Sequence, residues 1–257
     1  MYPKAAPNAR FFENISYKGY FLVYQIIVDR RGRIVKLEAL LRSSSFKQMS
    51  VPQLLAFAER TGTTGTLDAY VLEKALSQLA IFQKIHPTLV MSVNLSPSSL
   101  VPGLAREIEA QLVKANISPE FLTLEITESQ AIGHIGNARQ CIQEIQALGC
   151  KVFLDDFCTR YSTLNHLAEL GVDGIKIDRS YVWLTNRFGY ERYLIDSLAR
   201  IGHGFNLKMV AEGVETQQQL KKVQQLGIQY IQGYFFYKPL SAKKVIECLA
   251  ENEDKAA

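Results

Sequence analysis

The sequence has little of what a secreted, membrane-spanning or disulfide-built protein needs. Its 257 residues include four cysteines, Cys141, Cys150, Cys158 and Cys248. They are too few for a disulfide framework and lack the spacing of a zinc site, so a reducing cytoplasm is the expected setting. No apolar run comes near the roughly 20 residues that cross a bilayer, and the N-terminus lacks the apolar core of a signal peptide, so membrane insertion is not expected. Histidine is scarce: His86, His134, His166 and His203 are scattered and form no cluster. There is also little excess of charge of one sign. Lys plus Arg number 29 and Asp plus Glu 25, a net +4 that could help attract an anionic ligand but is too small to argue for DNA. There is no internal repeat and no low-complexity linker.

What is present is core-forming material. Hydrophobic residues make up 47%, enough for one large globular domain. Residues 1–20, with Pro3, Pro7, Asn14 and Gly19, read as a lead-in, residues 21–250 as the domain, and 251–257 as a charged tail. Short apolar runs at 21–28, 34–41, 89–95, 121–126, 151–155, 174–177, 208–211 and 230–232 are rich in β-branched and aromatic residues and read as strands. Amphipathic stretches at 51–61, 67–85, 100–115, 135–148, 163–170, 190–205 and 217–226 read as helices, with Gly149, Gly171 and Gly227 at expected helix ends. Strand and helix alternate about eight times, which predicts an α/β fold, a TIM-like (β/α)8 barrel. The first two strands depart from that plan. Asp29-Arg30-Arg31-Gly32 is too short for a helical crossover and suits an antiparallel hairpin.

The strand ends carry polar residues that a barrel core would not select. They are Glu38 and Arg42; Asn94; Glu125, Thr127 and Glu128; Asp155 and Asp156; Lys176 and Asp178; Glu212 and then Glu215; and Gln232. One such residue is an ordinary strand end facing water. Carboxylates recurring on strand after strand are another matter, because a closed barrel gathers its strand ends at one mouth and crowded negative charge needs a cation. An all-oxygen set of carboxylates with an amide favours Mg²⁺ or Mn²⁺ over Zn²⁺. The adjacent pair Asp155-Asp156 suits two ions bridged by a shared carboxylate, as in phosphoester hydrolysis. Lys176 in this company reads either as a base or as a salt-bridge partner.

These residues fall into motifs: Glu38-Ala39-Leu40 followed by Leu41-Arg42, Asn94-Leu95-Ser96, Glu125-Ile126-Thr127-Glu128, Asp155-Asp156-Phe157, Lys176-Ile177-Asp178-Arg179, Glu212-Gly213-Val214-Glu215 and Gln232-Gly233-Tyr234. In type and order they resemble the EAL domain family, over roughly residues 20–248. The resemblance implies an EAL barrel with one antiparallel strand. It implies hydrolysis of cyclic di-GMP to linear pGpG in bacterial signalling. It implies two ions, with Glu38, Asn94, Glu125 and Asp155 holding the first and Asp155, Asp156 and Glu212 the second. Lys176 would handle the proton of the attacking water and Gln232 would help order that water. Gln25, Leu40, Arg42, Asp178 and Glu215 would contact substrate, and Glu128 would support the loop after Asp156. Ca²⁺ would permit binding but inhibit hydrolysis. A homodimer and a regulatory protein partner are further expectations.

The chain departs from the family pattern in three places. Cys158-Thr159-Arg160-Tyr161-Ser162 stands where the family usually has Gly-Thr-Gly-Tyr-Ser, Ile26 follows Gln25 where proline is common, and Ser43 follows Arg42 where tryptophan is common. The first change is expected to slow catalysis more than binding, by displacing Asp156. Two readings other than an active phosphodiesterase therefore stay open: an EAL domain acting as a cyclic di-GMP receptor or protein-binding regulator, and a divalent-metal barrel enzyme acting on another phosphoester.

Overall fold

The computed structural model describes residues 19–44, 49–127, 135–157, 164–184 and 192–253. Eight strands close into a barrel in sequence order, β1 to β8. β1 (Tyr20–Asp29) pairs antiparallel with β2 (Ile34–Ser43) on one side and with β8 (Tyr230–Gln232) on the other. The remaining neighbours run parallel: β2 with β3 (Val90–Leu95), then β4 (Leu122–Thr127), β5 (Lys151–Phe157), β6 (Gly174–Ile177), β7 (Lys208–Ala211) and β8. One antiparallel strand in a closed eight-stranded barrel is the architecture expected from the sequence.

The hairpin at its start is held by Asp29. Its Oδ1 accepts from Arg31 N at 2.8 Å and Arg33 N at 3.0 Å, and its Oδ2 accepts from Arg33 Nε at 2.7 Å. A short acidic side chain that mimics a backbone turn is what Asp supplies well.

Helices cover the parallel strands: α1 (Val51–Thr61), α2 (Thr64–Phe82), α3 (Leu104–Ala115), α4 (Ile135–Ala147), α5 (Leu164–Leu170), α6 (Arg179–Leu184), α7 (Arg192–Gly204), α8 (Gln217–Gln225) and α9 (Ala242–Glu253). The sequence reading has no counterpart for α6 or α9, and α9 continues into the stretch read as tail.

Side chains alternate across each strand, so the barrel wall has two faces. The outward face packs on the helices. Ile26, Leu37, Met91, Leu124, Leu154 and Ile175 lie there with Ala75, Leu79 and Phe82 of α2, all essentially fully buried. Tyr24 meets Phe82 edge-on, with centroids 5.2 Å apart. The inward face is polar at the strands' C-terminal ends. One layer below, Ile27, Phe153 and Val210 form a second, smaller apolar cluster with Tyr230 against it. Gly174 makes room for that layer, since a Cβ there would stand 2.6 Å from the Phe153 ring and from the Lys208 carbonyl oxygen. The lumen is thus plugged below the polar layer and gives it a dry floor.

Candidate active site

Above the plug, Lys176 from β6 stands among carboxylates from three other strands and that of Glu212, the residue that follows β7. Its Nζ lies 2.8 Å from Glu125, 2.7 Å from Glu212, 3.2 Å from Asp155 and 3.4 Å from Glu38. Glu38 is further fixed by two amides: Asn94 Nδ2 donates to its Oε1 at 2.9 Å and Gln232 Nε2 to its Oε2 at 2.6 Å. Seven of the residues picked from the sequence therefore meet at one point.

Glu38, Glu125 and Lys176 are each 5% exposed or less, so their charges interact strongly. Burial raises the Glu125 carboxyl to about 7, with Lys176 pulling it down and Glu38 and Asp155 pushing it up. Burial likewise raises Glu212 to about 8. Burial also opposes the charge on Glu38, yet Lys176, Gln232 and Asn94 together outweigh it and its pKa falls. Burial disfavours the Lys176 ammonium, but the carboxylates win and hold its pKa well above the ordinary value. In this state Lys176 is the salt-bridge partner of the cluster.

One ammonium does not balance four carboxylates, and the donor set fits a divalent cation. Asp155, Asp156 and Glu212 bring oxygens within 4.8 Å of one another. Glu125 Oε1 and Gln232 Oε1 are buried with no hydrogen-bond partner, while Glu125 Oε2 meets only the Lys176 ammonium at 2.8 Å. Buried oxygens left in this condition are costly unless a cation takes them. All donors are oxygen, the preference of hard ions.

The other expected residues surround this centre. Asp156 sits at φ 53°, a left-handed value that Asp tolerates better than most residues. Burial, then the charges of Asp155 and Asp178, raise its pKa. Asp178 also starts α6: its Oδ1 accepts from Ser180 N at 2.9 Å and its carbonyl from Tyr181 N at 3.0 Å. Gln25, Leu40 and Glu215 line a cavity of about 200 Å³ with Glu38, Glu212 and Gln232. Arg42 is exposed, with Nη1 donating to the Leu41 carbonyl at 2.8 Å. It lines a second cavity of about 400 Å³, on the other side of Leu40, with Asn94 and Thr127. Glu128, and the altered stretch Cys158–Ser162, lie outside the described residues.

Sequence reasoning assigned no role to Arg179 and Tyr234, which line the smaller cavity. Arg179 stacks over Trp183 at 5.3 Å. Nor did it explain two motif glycines. A Cβ on Gly233 would collide with the Val214 backbone, and one on Gly213, where φ is 63°, with the Arg179 side chain. Their closeness lets Val214 N donate to the Gln232 carbonyl at 3.1 Å and Phe235 N to the Val214 carbonyl at 2.9 Å, which ties the loop carrying Glu215 to the strand carrying Gln232.

Comparison with known proteins agrees with this fold. The chain is 30% identical over 255 residues to the cyclic di-GMP phosphodiesterase PdeF of Escherichia coli K12, covering 97% of this chain and 33% of that protein. It is 35% identical over 247 residues to the oxygen sensor protein DosP of the same organism, covering 93% and 30%. The chain spans about a third of the length of the curated relatives it matches. Among solved structures, the PaMucR phosphodiesterase in its cyclic di-GMP complex superposes with a TM-score of 0.82 at 30% identity, over 89% of this chain and 94% of that one. Klebsiella pneumoniae BlrP1, solved with manganese and cyclic di-GMP, superposes with a TM-score of 0.76 at 26% identity, over 86% and 56%; a calcium complex of the same protein matches equally well. The family model described as the EAL domain matches residues 8–239, which is nearly the whole chain. This chain belongs to the EAL domain family.

Proposed function

We propose that this chain hydrolyses cyclic di-GMP, opening one of its two phosphodiesters to give linear pGpG. The observation that carries the reading is the meeting of Glu38, Glu125, Asp155, Glu212 and Lys176 at one mouth of a barrel of this family. Named phosphodiesterases among the relatives support it. Water adds to phosphorus, the bond to the ribose 3′ oxygen breaks, and that oxygen takes up a proton. Divalent cations, when bound, supply Lewis acidity that makes water a competent nucleophile at neutral pH and offsets charge on the phosphate.

The remaining work falls to the protein. Glu38, Asn94, Glu125 and Asp155 would hold one ion, and Asp155, Asp156 and Glu212 the other. Gln232 fixes Glu38 through Nε2, and its Oε1 would help order the reacting water. Lys176 Nζ is the site that takes the proton. With its carboxylates neutralised, burial alone acts on the amine, and burial favours the neutral form. The plug of Ile27, Phe153 and Val210 excludes bulk water from below. Arg42 would meet a phosphate oxygen pair with its planar fork, Gln25, Leu40, Asp178 and Glu215 would complete the substrate contacts, and Glu128 would support the loop after Asp156.

The reading includes Mg²⁺ or Mn²⁺ as the working ions, Ca²⁺ as an inhibitor and a cytoplasmic setting, with residues 21–250 as the catalytic unit. Among the described residues no helix is long and apolar enough to cross a membrane. A homodimer, or a regulatory partner, would find exposed apolar side chains at Trp183, Tyr193 and Leu194. The test is incubation of the pure protein with cyclic di-GMP and Mg²⁺ or Mn²⁺, followed by chromatography for pGpG. Binding without product would favour the receptor reading.

A further inference from the structure

The barrel carries a cavity of about 420 Å³ at the end opposite the carboxylates, and its closed end is a buried lysine. The residues that form it stand two positions before site residues on the same strands. Lys36 precedes Glu38 on β2, Thr123 precedes Glu125 on β4, Phe153 precedes Asp155 on β5 and Tyr230 precedes Gln232 on β8. With side chains alternating, these form the next inward layer. Phe153 is shared with the plug, which separates this cavity from the mouth.

Lys36 is 5% exposed. Its Nζ donates to Thr123 Oγ1 at 3.0 Å and lies 4.2 Å from the centroid of the Phe153 ring and 5.6 Å from that of Tyr230. Among the described residues no carboxylate lies within ion-pair distance of it. Of the carboxylates whose charge reaches it, Glu125 and Glu38 belong to the mouth, and Asp173, in the wall of the cavity itself, is taken by Lys151 at 2.9 Å, Gln146 at 2.8 Å and the amide of Val152 at 3.0 Å. A buried ammonium facing rings and one hydroxyl keeps unspent capacity for an anion. The Thr123 hydroxyl accepts from Lys36, so its own hydrogen is available to donate. Lys208 adds positive charge at the rim, and Val90, Phe205 and Tyr230 give an apolar wall.

We propose that this cavity binds a small oxyanion, a carboxylate or a phosphate carried on a flat apolar body. Lys36 Nζ and the Thr123 hydroxyl take the oxyanion, Lys208 draws it in, and the flat part lies on the wall of Val90, Phe205 and Tyr230. The site is separate from the mouth and independent of the reaction proposed for it.

The test titrates the 257-residue chain with phenyl phosphate, benzoate and inorganic phosphate by calorimetry, with and without cyclic di-GMP and Ca²⁺ at the mouth. At least one of the two ring-bearing probes binds, more tightly than inorganic phosphate, and cyclic di-GMP does not displace it. Lys36→Met weakens that binding roughly tenfold or more, as expected for loss of a charged hydrogen-bond donor. Lys208→Glu, an exposed rim change that leaves the barrel interior alone, weakens it as well and carries the test if Lys36→Met does not fold. No binding of either ring-bearing probe overturns the proposal. So does unchanged binding in a folded Lys36→Met variant or in Lys208→Glu, inorganic phosphate binding as tightly as the ring-bearing probes, or displacement by cyclic di-GMP.

Discussion

Lys176 is where residue chemistry and site function meet. As an ammonium it sits within 3.4 Å of four carboxylates and supplies the counter-charge that lets them be buried. Replacing it with methionine leaves those carboxylates to repel one another. The metal-free Lys176→Met protein should lose about 3 kcal/mol of stability, the scale for breaking a buried ion pair, and recover much of it with Mn²⁺. Denaturant titration in EDTA and in Mn²⁺ checks both parts; equal losses in the two conditions would mean that cations do not replace the lysine charge. At this scale the sequence was legible wherever chemistry alone marks a residue. Carboxylates and amides ending apolar strands stand out, and Glu38, Asn94, Glu125, Asp155, Lys176, Glu212 and Gln232 were found that way. Arg179 and Tyr234 lie just after strand ends, where periodicity is gone, and nothing in their surroundings marks them as cavity walls.

The strands and longer helices were legible because hydrophobic period decides them. Gly149, Gly171 and Gly227 end helices with φ of 106°, 65° and 73°, as a helix end in the left-handed region requires. The helix α6 has six residues, too few to show a period. The helix α9 was missed although its signal is present: Val245 and Leu249 stand four apart and both are fully buried.

Loops were the least legible element. The close approach of Gly233 to the Val214 backbone depends on two chain segments meeting, which no local pattern shows. Gly233→Ala should destabilise the protein by about 1–3 kcal/mol, as overpacking does, and should lower turnover because Gln232 is its neighbour. Thermal denaturation and turnover together test this, and an unchanged melting temperature would mean the loop yields freely. The left-handed residue near the end of β5 is Asp156 itself, two positions before the altered stretch. If Cys158 and Arg160 also need φ > 0, the double change Cys158→Gly with Arg160→Gly raises turnover at fixed Mg²⁺ with little change in affinity for cyclic di-GMP. No change, or a fall, would show that this loop needs no glycine.

The whole molecule gathers charge at one end of a plugged barrel, and its stability should depend on pH accordingly. Glu125 and Glu212 are raised from 4.5 to about 7 and about 8 by folding. A carboxyl raised in the folded state contributes stability below its unfolded value, and that contribution is lost as pH climbs through the folded value. Glu38 is lowered and acts in the opposite sense, its contribution being lost in acid. The metal-free protein should therefore lose stability as pH rises from about 4.5, the unfolded value, to about 7 and about 8, with no further loss from these groups above that. A cation must displace these protons, so its stabilising effect grows across the same window. Melting temperatures in EDTA and in Mn²⁺, measured on both sides of the window, test this. A cation effect that stays flat or shrinks with pH would place the metal away from Glu125 and Glu212.

The same gathering of charge leads to the central claim, that the carboxylate mouth cleaves cyclic di-GMP with the help of divalent cations. The most direct measurement is the rate of pGpG formation by the wild-type chain and by Glu38→Ala, in Mg²⁺ or Mn²⁺ and in Ca²⁺ alone. The account predicts product from the wild type in Mg²⁺ or Mn²⁺, little or none in Ca²⁺, and none from a folded Glu38→Ala protein, since one lost ligand leaves the remaining carboxylates without their ion. Wild-type-like cleavage by Glu38→Ala, or full activity in Ca²⁺ with the other ions removed, would contradict it.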